Sequence, residues 1–287
     1  MAIATTGRLY VVATPIGNLG DWSPRSRAVL AECALIAAED TRHTGTLLKS
    51  AGISTPLVSL HQHNEAQRVP ELIAALRGGA SAALVSDAGT PCISDPGFGL
   101  LRAAVAAGIE VVAVPGPCAA TAALSIAAQP TDRFCFEGFL PARAAARRAR
   151  LDELAAETRT LVFYESPHRV LATLEDCARA FGADREATVA REMTKLHETT
   201  YRGTVGELAA RAAADANFAR GEIVLIVHGA RPAPQSAGGD GHDGALERIL
   251  SVLLAELPLK QAARLAARIA GVRDNEAYKR ALQIKEN

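Results

Sequence analysis

Two carboxylates, Asp87 and Asp95, lie in a glycine- and proline-rich segment, SDAGTPCISDPG at 86–97, that directly follows the apolar run AALV at 82–85. The glycines allow positive φ angles and close approach of backbone to a ligand, and the prolines restrict the loop. Ionised Asp accepts hydrogen bonds from ribose hydroxyls and attracts a cationic group. The segment is therefore predicted to line a small-molecule site. The alternative is that both carboxylates only cap turns and the next helix.

Two further loops of this kind follow apolar runs, TPIGNLGD at 14–21 and PGPCAA at 115–120. In an open α/β sheet the carboxyl ends of parallel strands line the ligand crevice, so the three loops predict one binding cleft. Neither the P-loop spacing nor G-x-G-x-x-G occurs in them, which disfavours a nucleoside triphosphate or a dinucleotide. A nucleoside-like ligand without a polyphosphate is favoured.

Polar residues that suit ribose or phosphate occur in three other segments, AEDTRHT at 38–44, FYESPHR at 163–169 and REMTKLHE at 191–198. Each lies at or near the end of a predicted strand. We expect substrate contacts from Arg42, His43, His168, Arg169 and Arg191. His168 alone would be better explained as a structural histidine, and its basic neighbours favour the substrate contact. No grouping of His, Cys and Asp has metal-ligand spacing, so no metal is predicted.

Strands and helices alternate from residue 8 to 128, which predicts a mainly parallel sheet covered on both faces. From 133 to 229 they mix, and two consecutive strands with a short link predict an antiparallel pair in a mixed sheet. A Pro-, Gly-, Ser- and Asp-rich stretch then predicts a linker, followed by three helices of helix-turn-helix type. The predicted organisation is an N-terminal α/β domain over 1–119, a second α/β domain over 120–230, a linker over 231–244 and a helical C-terminal domain over 245–287.

The composition is typical of a globular cytosolic protein. The 287 residues suit about two domains, and no apolar run approaches the ~18 residues of a membrane span. The N-terminus lacks the layout of a signal peptide. Five scattered cysteines without a C-x-x-C pair favour a reducing compartment, so we expect a cytoplasmic protein with no membrane contact. With 31 basic and 31 acidic residues, any contact with nucleic acid must come from local patches.

Two segments concentrate positive charge. From Pro258 to the end, seven basic residues against three acidic ones give a net charge of 7 − 3 = +4. In ARAAARRAR at 142–150, Arg143, Arg147 and Arg150 fall on one stripe of a predicted helix. Both segments suit an RNA backbone. The alternatives are a helical unit that serves packing and a solvated helix face.

Together with GEIVLIVHG at 221–229, these six loop and strand-end segments resemble the tetrapyrrole-methylase (class III) group of S-adenosylmethionine methyltransferases. Within that group they are most similar to the branch that methylates ribosomal RNA. The resemblance extends from about Gly7 to the C-terminal helices, with all seven motifs in the same order. It implies a tetrapyrrole-methylase fold with S-adenosylmethionine in a cleft between the two α/β domains, and a homodimer. It also implies 2′-O-methylation of a cytidine in the decoding region of 16S rRNA, within the small ribosomal subunit.

The resemblance also implies which residues contact the cofactor: Pro15, Asp87, Gly89, Thr90, Ile93, Cys118, Ala119 and Tyr164. The enzyme lowers the barrier by aligning the attacking ribose hydroxyl with the sulfonium methyl group, and a base that removes the hydroxyl proton would lower it further. The candidates for this base are Glu165 and, if neutral, Lys195. Two alternatives stay open, an enzyme of this fold that methylates a tetrapyrrole carbon and a non-catalytic RNA-binding relative. The basic C-terminal helices favour RNA over a tetrapyrrole, and the intact loops favour retained cofactor binding.

Overall fold

Short apolar strands, each followed by a helix, build the first of two sheets. The structure, a computed structural model, describes residues 7–231 and 240–286. All strands of this sheet are parallel, in the order β3-β2-β4-β1-β5. They are β1 (Leu9–Val12), β2 (Leu35–Ala38), β3 (Leu57–Ser59), β4 (Ala82–Val85) and β5 (Val111–Val114). The predicted parallel sheet is confirmed.

Four helices cover this sheet, two on each face. They are α1 (Pro24–Glu32), α2 (Thr41–Ser50), α3 (Glu65–Arg77) and α4 (Phe98–Ala106). Leu30 of α1 and Leu48 of α2 pack in one core, and Leu76 of α3 and Leu100 of α4 pack in the other. A sheet buried on both faces needs continuous apolar strands, and AALV in β4 is buried at all four positions.

The second sheet is mixed, in the order β6-β7-β10-β8-β9. Its strands are β6 (Phe134–Phe139), β7 (Thr160–Glu165), β8 (Glu186–Arg191), β9 (Thr199–Thr204) and β10 (Ile223–Val227). Only β6 and β7 are parallel, and β8 and β9 form the predicted antiparallel pair. One face packs on α6 (Ala144–Leu154), α7 (Val170–Phe181) and α8 (Val205–Ala214).

Helix α5 (Ala119–Ile126) follows the first sheet in the chain but packs on the second. Its small residues Ala120 and Ala123 lie in a core with Val162 of β7 and Val224 of β10. The loop that enters α5 therefore runs from the end of β5 in one sheet to the other sheet. This connection brings loops of the first sheet close to β7 and β10.

The arginine stripe of α6 is structural. Arg147 is only 6% exposed, and its Nε donates to Asp176 Oδ2 of α7 at 2.8 Å. Arg150 pairs with Glu137 of β6 and with Glu153, at 2.7 Å each. Burial of Arg147 rules out an RNA contact for that residue, whereas the side chain of Arg150 is half-exposed and pairs with β6 and within α6. Of the three, only Arg143 is exposed.

Three helices form a separate C-terminal unit, α9 (Asp240–Glu256), α10 (Leu259–Ala270) and α11 (Asp274–Glu286). Small residues of α10, such as Ala263 and Ala266, pack against Leu246 and Leu250 of α9. The predicted linker over 231–244 lies mostly outside the described residues. Helix α9 begins at Asp240, five residues before the predicted start at 245. Each glycine there costs a helix about 1 kcal/mol, and the packing of Leu246 and Leu250 in the core of the unit outweighs that cost. No helix in the described ranges is long and apolar enough to cross a membrane.

Candidate active site

The three glycine-rich loops meet at the carboxyl ends of the first sheet and are joined by hydrogen bonds. Thr14, after β1, and Gly89, after β4, exchange two backbone bonds, with N···O distances of 2.9 and 3.2 Å. The Thr90 hydroxyl donates to Pro117 O, before α5, at 3.0 Å. Asp87 Oδ1 accepts from Asp40 N–H, after β2, at 3.0 Å. Four strand ends are thereby fixed relative to one another.

A cavity of about 430 Å³ lies between these loops and the second sheet. That volume is within the range of small-molecule sites, which are commonly about 300–1,000 Å³. The first sheet and the loop before α5 supply Ile16, Glu39, Asp87, Ala88, Gly89, Thr90, Ile93, Ser94, Asp95, Cys118 and Ala119. The second sheet supplies Phe139, Tyr164, Glu165, Ser166, Pro167, Met193 and residues 221–224.

The cavity is acidic. Five carboxylates line it, and none of the lining residues in the described part of the chain is Lys, Arg or His. Two of the carboxylates have a basic partner outside the cavity, Arg169 for Glu165 and Lys195 for Glu222, each at 3.2 Å. The other three are Glu39, Asp87 and Asp95. Such a surface favours a cationic ligand or one with hydroxyl donors.

The three remaining carboxylates influence one another. Burial raises the pKa of Glu39, and the charges of Asp87 and Asp95 raise it further. Burial also raises the pKa of Asp95, with a smaller contribution from Asp87. Asp95 does not cap α4, because that helix begins after Gly97 and its N-cap makes no side-chain hydrogen bond, so helix capping does not describe this residue.

Tyr164 joins the second sheet to the start of α5. Its hydroxyl oxygen accepts a hydrogen bond from Ala120 N–H at 3.2 Å. Its ring packs edge-on against Phe136 and Phe139, with centroid distances of 4.9 and 5.6 Å. Burial, with a contribution from the nearby Cys118, raises the pKa of the phenol well above its usual value. Tyr164 therefore stays protonated at neutral pH and positions the loop that carries Cys118.

The structure brings seven of the eight predicted cofactor contacts to one cavity. These are Asp87, Gly89, Thr90, Ile93, Cys118, Ala119 and Tyr164. The eighth, Pro15, is not among the lining residues, whereas its neighbour Ile16 is. Ile16 is buried next to Gly89, whereas Pro15 is partly exposed beside it. The cofactor roles themselves stay predictions.

The two candidate bases differ from the sequence-based expectation. Burial lowers the pKa of Lys195, but Glu192 at 2.9 Å and Glu222 at 3.2 Å outweigh it, and the net shift is upward. A neutral amine is thereby disfavoured, and Lys195 does not line the cavity.

Glu165 lines the cavity, but its carboxylate is already bonded to protein groups. It accepts from Ser166 N–H at 2.7 Å and from the Thr173 hydroxyl at 2.5 Å, and it pairs with Arg169. These bonds fix the turn between β7 and α7. They favour a positioning role for Glu165 over that of a base.

None of the five predicted substrate residues lines the cavity. Arg42, His43 and His168 are exposed outside it, and Arg42 pairs with Asp40. The guanidinium groups of Arg169 and Arg191 instead donate to the carbonyl oxygens of Leu140 and His197, each at 2.7 Å. These two arginines brace turns of the second sheet. An RNA contact stays a prediction for the three exposed residues.

Strained backbone marks two segments that supply cavity residues. Cys92 and Ser94 have φ angles of 68°, and Glu192 and Thr194 have φ angles of 51° and 66°. Left-handed backbone in residues other than glycine is uncommon and clusters at functional sites. The sequence pattern did not indicate this strain, nor that Glu39, Phe139 and Met193 line the cavity. The strand-end position of Glu39 was the one signal that could have identified it.

Comparison with known proteins identifies the family. Residues 8–209 match the family Tetrapyrrole (Corrin/Porphyrin) Methylases, and residues 240–285 match the RsmI C-terminal HTH domain. The ribosomal RNA small subunit methyltransferase I of Pseudomonas aeruginosa is 54% identical over 279 residues, which are 97% of this chain and 98% of that protein. The chain belongs to the ribosomal RNA small subunit methyltransferase I family.

Solved structures agree on the fold of this family. The methyltransferase CobJ has a TM-score of 0.58 at 22% identity, covering 80% of this chain and 98% of its own. A Thermus thermophilus uroporphyrin-III C-methyltransferase complexed with S-adenosylhomocysteine has a TM-score of 0.53 at 17% identity, covering 77% and 97%. Membership of the ribosomal RNA small subunit methyltransferase I family confirms the predicted enzyme class, a methyltransferase that uses S-adenosylmethionine, and the helix-turn-helix-like appendage.

Proposed function

We propose that this protein transfers the methyl group of S-adenosylmethionine to the ribose 2′-hydroxyl of a cytidine in the decoding region of 16S rRNA. The observation that supports the cofactor site best is the charge of the cavity, with five carboxylates and no basic side chain among the lining residues described. The substrate is inferred from family membership and the basic C-terminal helices.

The residues present match the chemistry of S-adenosylmethionine. When bound, this cofactor supplies a methyl group activated by a positively charged sulfonium. Asp87 and Asp95 favour that charge and can accept from ribose hydroxyls. The backbone of Gly89 and Thr90 allows close contact, and the site has no glycine-rich phosphate loop. No group of three or more His, Cys, Asp or Glu able to hold a metal occurs among the described residues.

Alignment is the main contribution that this chain makes to the reaction. Hydrogen bonds between the loops and at the Glu165 turn fix the walls of the cavity. Such positioning of reactants can lower a reaction barrier by roughly 7–11 kcal/mol. The hydroxyl proton must still leave. Asp95 and Glu39 both line the cavity with a raised pKa, so each is a better acceptor than the bonded Glu165 or the protonated Lys195.

The C-terminal unit provides a surface for RNA. Lys260, Arg264 and Arg268 follow one another at every fourth position of α10 and are exposed. The opposite side of α10 is buried, with Ala262 and Ala266 in the core of the unit. A basic stripe on a packed helix can contact successive phosphates, and such binding weakens with salt. We assign this surface to docking on the small ribosomal subunit.

The test is methyl transfer from tritiated S-adenosylmethionine to small subunits isolated from a strain that lacks the protein. Uroporphyrinogen III is the second substrate, because CobJ and the uroporphyrin-III C-methyltransferase share the fold. The proposal predicts label in rRNA and none in the tetrapyrrole. Label only in the tetrapyrrole would support the alternative enzyme, and binding of subunits without any transfer would support the non-catalytic relative.

The cellular context forms part of the proposal. The family resemblance implies a homodimer in the cytoplasm. Light scattering of the purified protein should give twice the 30.0 kDa mass of the chain. A mass of one chain over the working concentration range would contradict the dimer.

A further inference from the structure

Phe139 is an aromatic residue of the cavity with no part in binding the cofactor's charge or in moving the hydroxyl proton. It lines the cavity at the end of β6, yet 57% of it is exposed. Its ring packs edge-on against Tyr164, at a centroid distance of 5.6 Å and an interplanar angle of 63°. More than half of a large apolar side chain is thus uncovered next to the site, and an aromatic ring in that position can stack on a planar ligand.

A β-bulge in β6 directs Phe139 to the face of the second sheet that lines the cavity. Phe136 pairs with Val162 and Gly138 pairs with Phe163, so Glu137 is an extra residue in β6. Without it, alternation would put Phe139 on the face of Cys135, which packs in the core beneath α6 and α7. With it, Phe139 lies opposite Tyr164. Bulges often re-aim side chains next to active sites.

Gly138 makes this bulge possible. Its φ angle is +63°, a conformation that residues with a side chain adopt rarely. A Cβ at this position would lie 3.1 Å from Ser94 Oγ, in the loop that follows β4. Gly138 therefore allows both the turn of β6 and its close approach to the loop that carries Asp87 and Asp95.

The charge of the cavity limits which part of an RNA can reach Phe139. Phosphate groups are repelled by Glu39, Asp87 and Asp95, and the described lining residues include no cation to offset this. The ribose and base of a nucleotide carry no charge, so they can enter where the phosphates cannot. For a 2′-hydroxyl to enter the site, the nucleotide must leave its stack, and enzymes that act on a single nucleotide commonly flip it into a pocket with aromatic or apolar walls.

We propose that Phe139 is the platform on which the flipped base of the target nucleotide stacks. The inference rests on the proposed function and adds a positioning residue for its substrate. Removal of one base–aromatic stack lowers affinity by roughly 5- to 160-fold. The adenine of the cofactor is the other planar group that could cover the ring, and the experiment separates the two.

The experiment compares Phe139→Ala, Phe139→Trp and Phe139→Leu with Phe134→Ala. Phe134 is a matched control, because it lies in the same strand and is 42% exposed but does not line the cavity. Methyl transfer to small subunits that lack the modification gives kcat and KM, and calorimetry gives the Kd of S-adenosylmethionine. Melting temperatures check the fold of each variant.

We expect Phe139→Ala to lower kcat/KM for subunits by roughly 5- to 160-fold with an unchanged cofactor Kd. The tryptophan variant should retain activity, the leucine variant should resemble alanine, and the control should match the parent protein. An unchanged kcat/KM in Phe139→Ala, equal activity of the leucine variant and the parent protein, or a cofactor Kd that rises by the same factor would each overturn the stacking role. If the parent protein itself transfers no methyl to subunits, the proposed function fails and the inference fails with it.

Discussion

Replacing Gly89 with alanine should weaken binding of S-adenosylmethionine through backbone strain. Gly89 has a φ angle of +86° and exchanges two backbone hydrogen bonds with Thr14. An added Cβ would lie 3.3 Å from Ile16 Cγ2, and Ile16 lines the cavity. The left-handed conformation costs a residue with a side chain about 1–2 kcal/mol. The loop of the variant can relieve this strain by leaving the conformation that the cofactor needs.

The strain then appears as a loss of affinity, because binding must restore the native loop. A cost of about 1–2 kcal/mol corresponds to a roughly 5- to 30-fold higher Kd at 25 °C. Calorimetric titration with S-adenosylmethionine measures it directly. Gly108→Ala is the matched control, since its φ angle is +69° and no atom lies within 4 Å of the added Cβ.

Gly108 lies in the turn after α4, outside the set of cavity residues. Its variant should lower the melting temperature by roughly 2–8 °C and keep the cofactor Kd of the parent protein. If Gly89→Ala lowers the melting temperature as much as the control does and also keeps the parent Kd, the loop is not part of the cofactor site.

Three other variants test separate parts of the structure. Asp95→Asn should weaken binding of S-adenosylmethionine more than binding of S-adenosylhomocysteine, the product that lacks the sulfonium charge, in calorimetry. It should also raise the melting temperature at neutral pH: the folded-state pKa of Asp95 is raised, so its ionisation opposes folding as the pH rises through that value. A parallel loss of both affinities would remove the charge argument. Arg147→Ala should lower the free energy of unfolding in urea by about 3–5 kcal/mol, because Asp176 would be left buried without its partner. Arg143→Ala, which changes an exposed arginine of the same segment, should have little effect, and equal effects would contradict the assignment. A chain ending at Ala230 should bind the cofactor normally but bind small subunits more weakly, and its salt slope should be shallower by about one unit for each phosphate that the C-terminal unit neutralises. Unchanged subunit affinity and salt slope would show that the C-terminal unit does not dock on RNA.

The site is predictable from the sequence where topology alone decides it. Loops after β1, β4 and β5 come together because the strands are parallel, and parallel strands end at one edge of the sheet. This rule needs no distances, and it is enough to place Asp87, Gly89 and Cys118 in one cavity. The same rule applies to Glu39 after β2, although its basic neighbours Arg42 and His43 were the residues expected at the site.

The sequence is a poor guide where a side chain's role depends on a distant partner. Lys195 forms an ion pair with Glu222, which is 27 residues away in the chain. Arg147 forms one with Asp176 of the next helix. Nothing in the local pattern distinguishes these residues from solvated charges. The bulge at Glu137 is equally invisible, since the run FCFEGF alternates in a way that puts Phe139 on the wrong face.

The proposed function requires that the methyl group reach a ribose 2′ oxygen. Small subunits from a strain that lacks the protein are incubated with the purified protein and isotopically labelled S-adenosylmethionine, and the rRNA is digested to nucleosides for mass spectrometry. The proposed function predicts one labelled product, 2′-O-methylcytidine, from a site in the decoding region. Label on a base, or on the ribose of a different nucleoside, would contradict it.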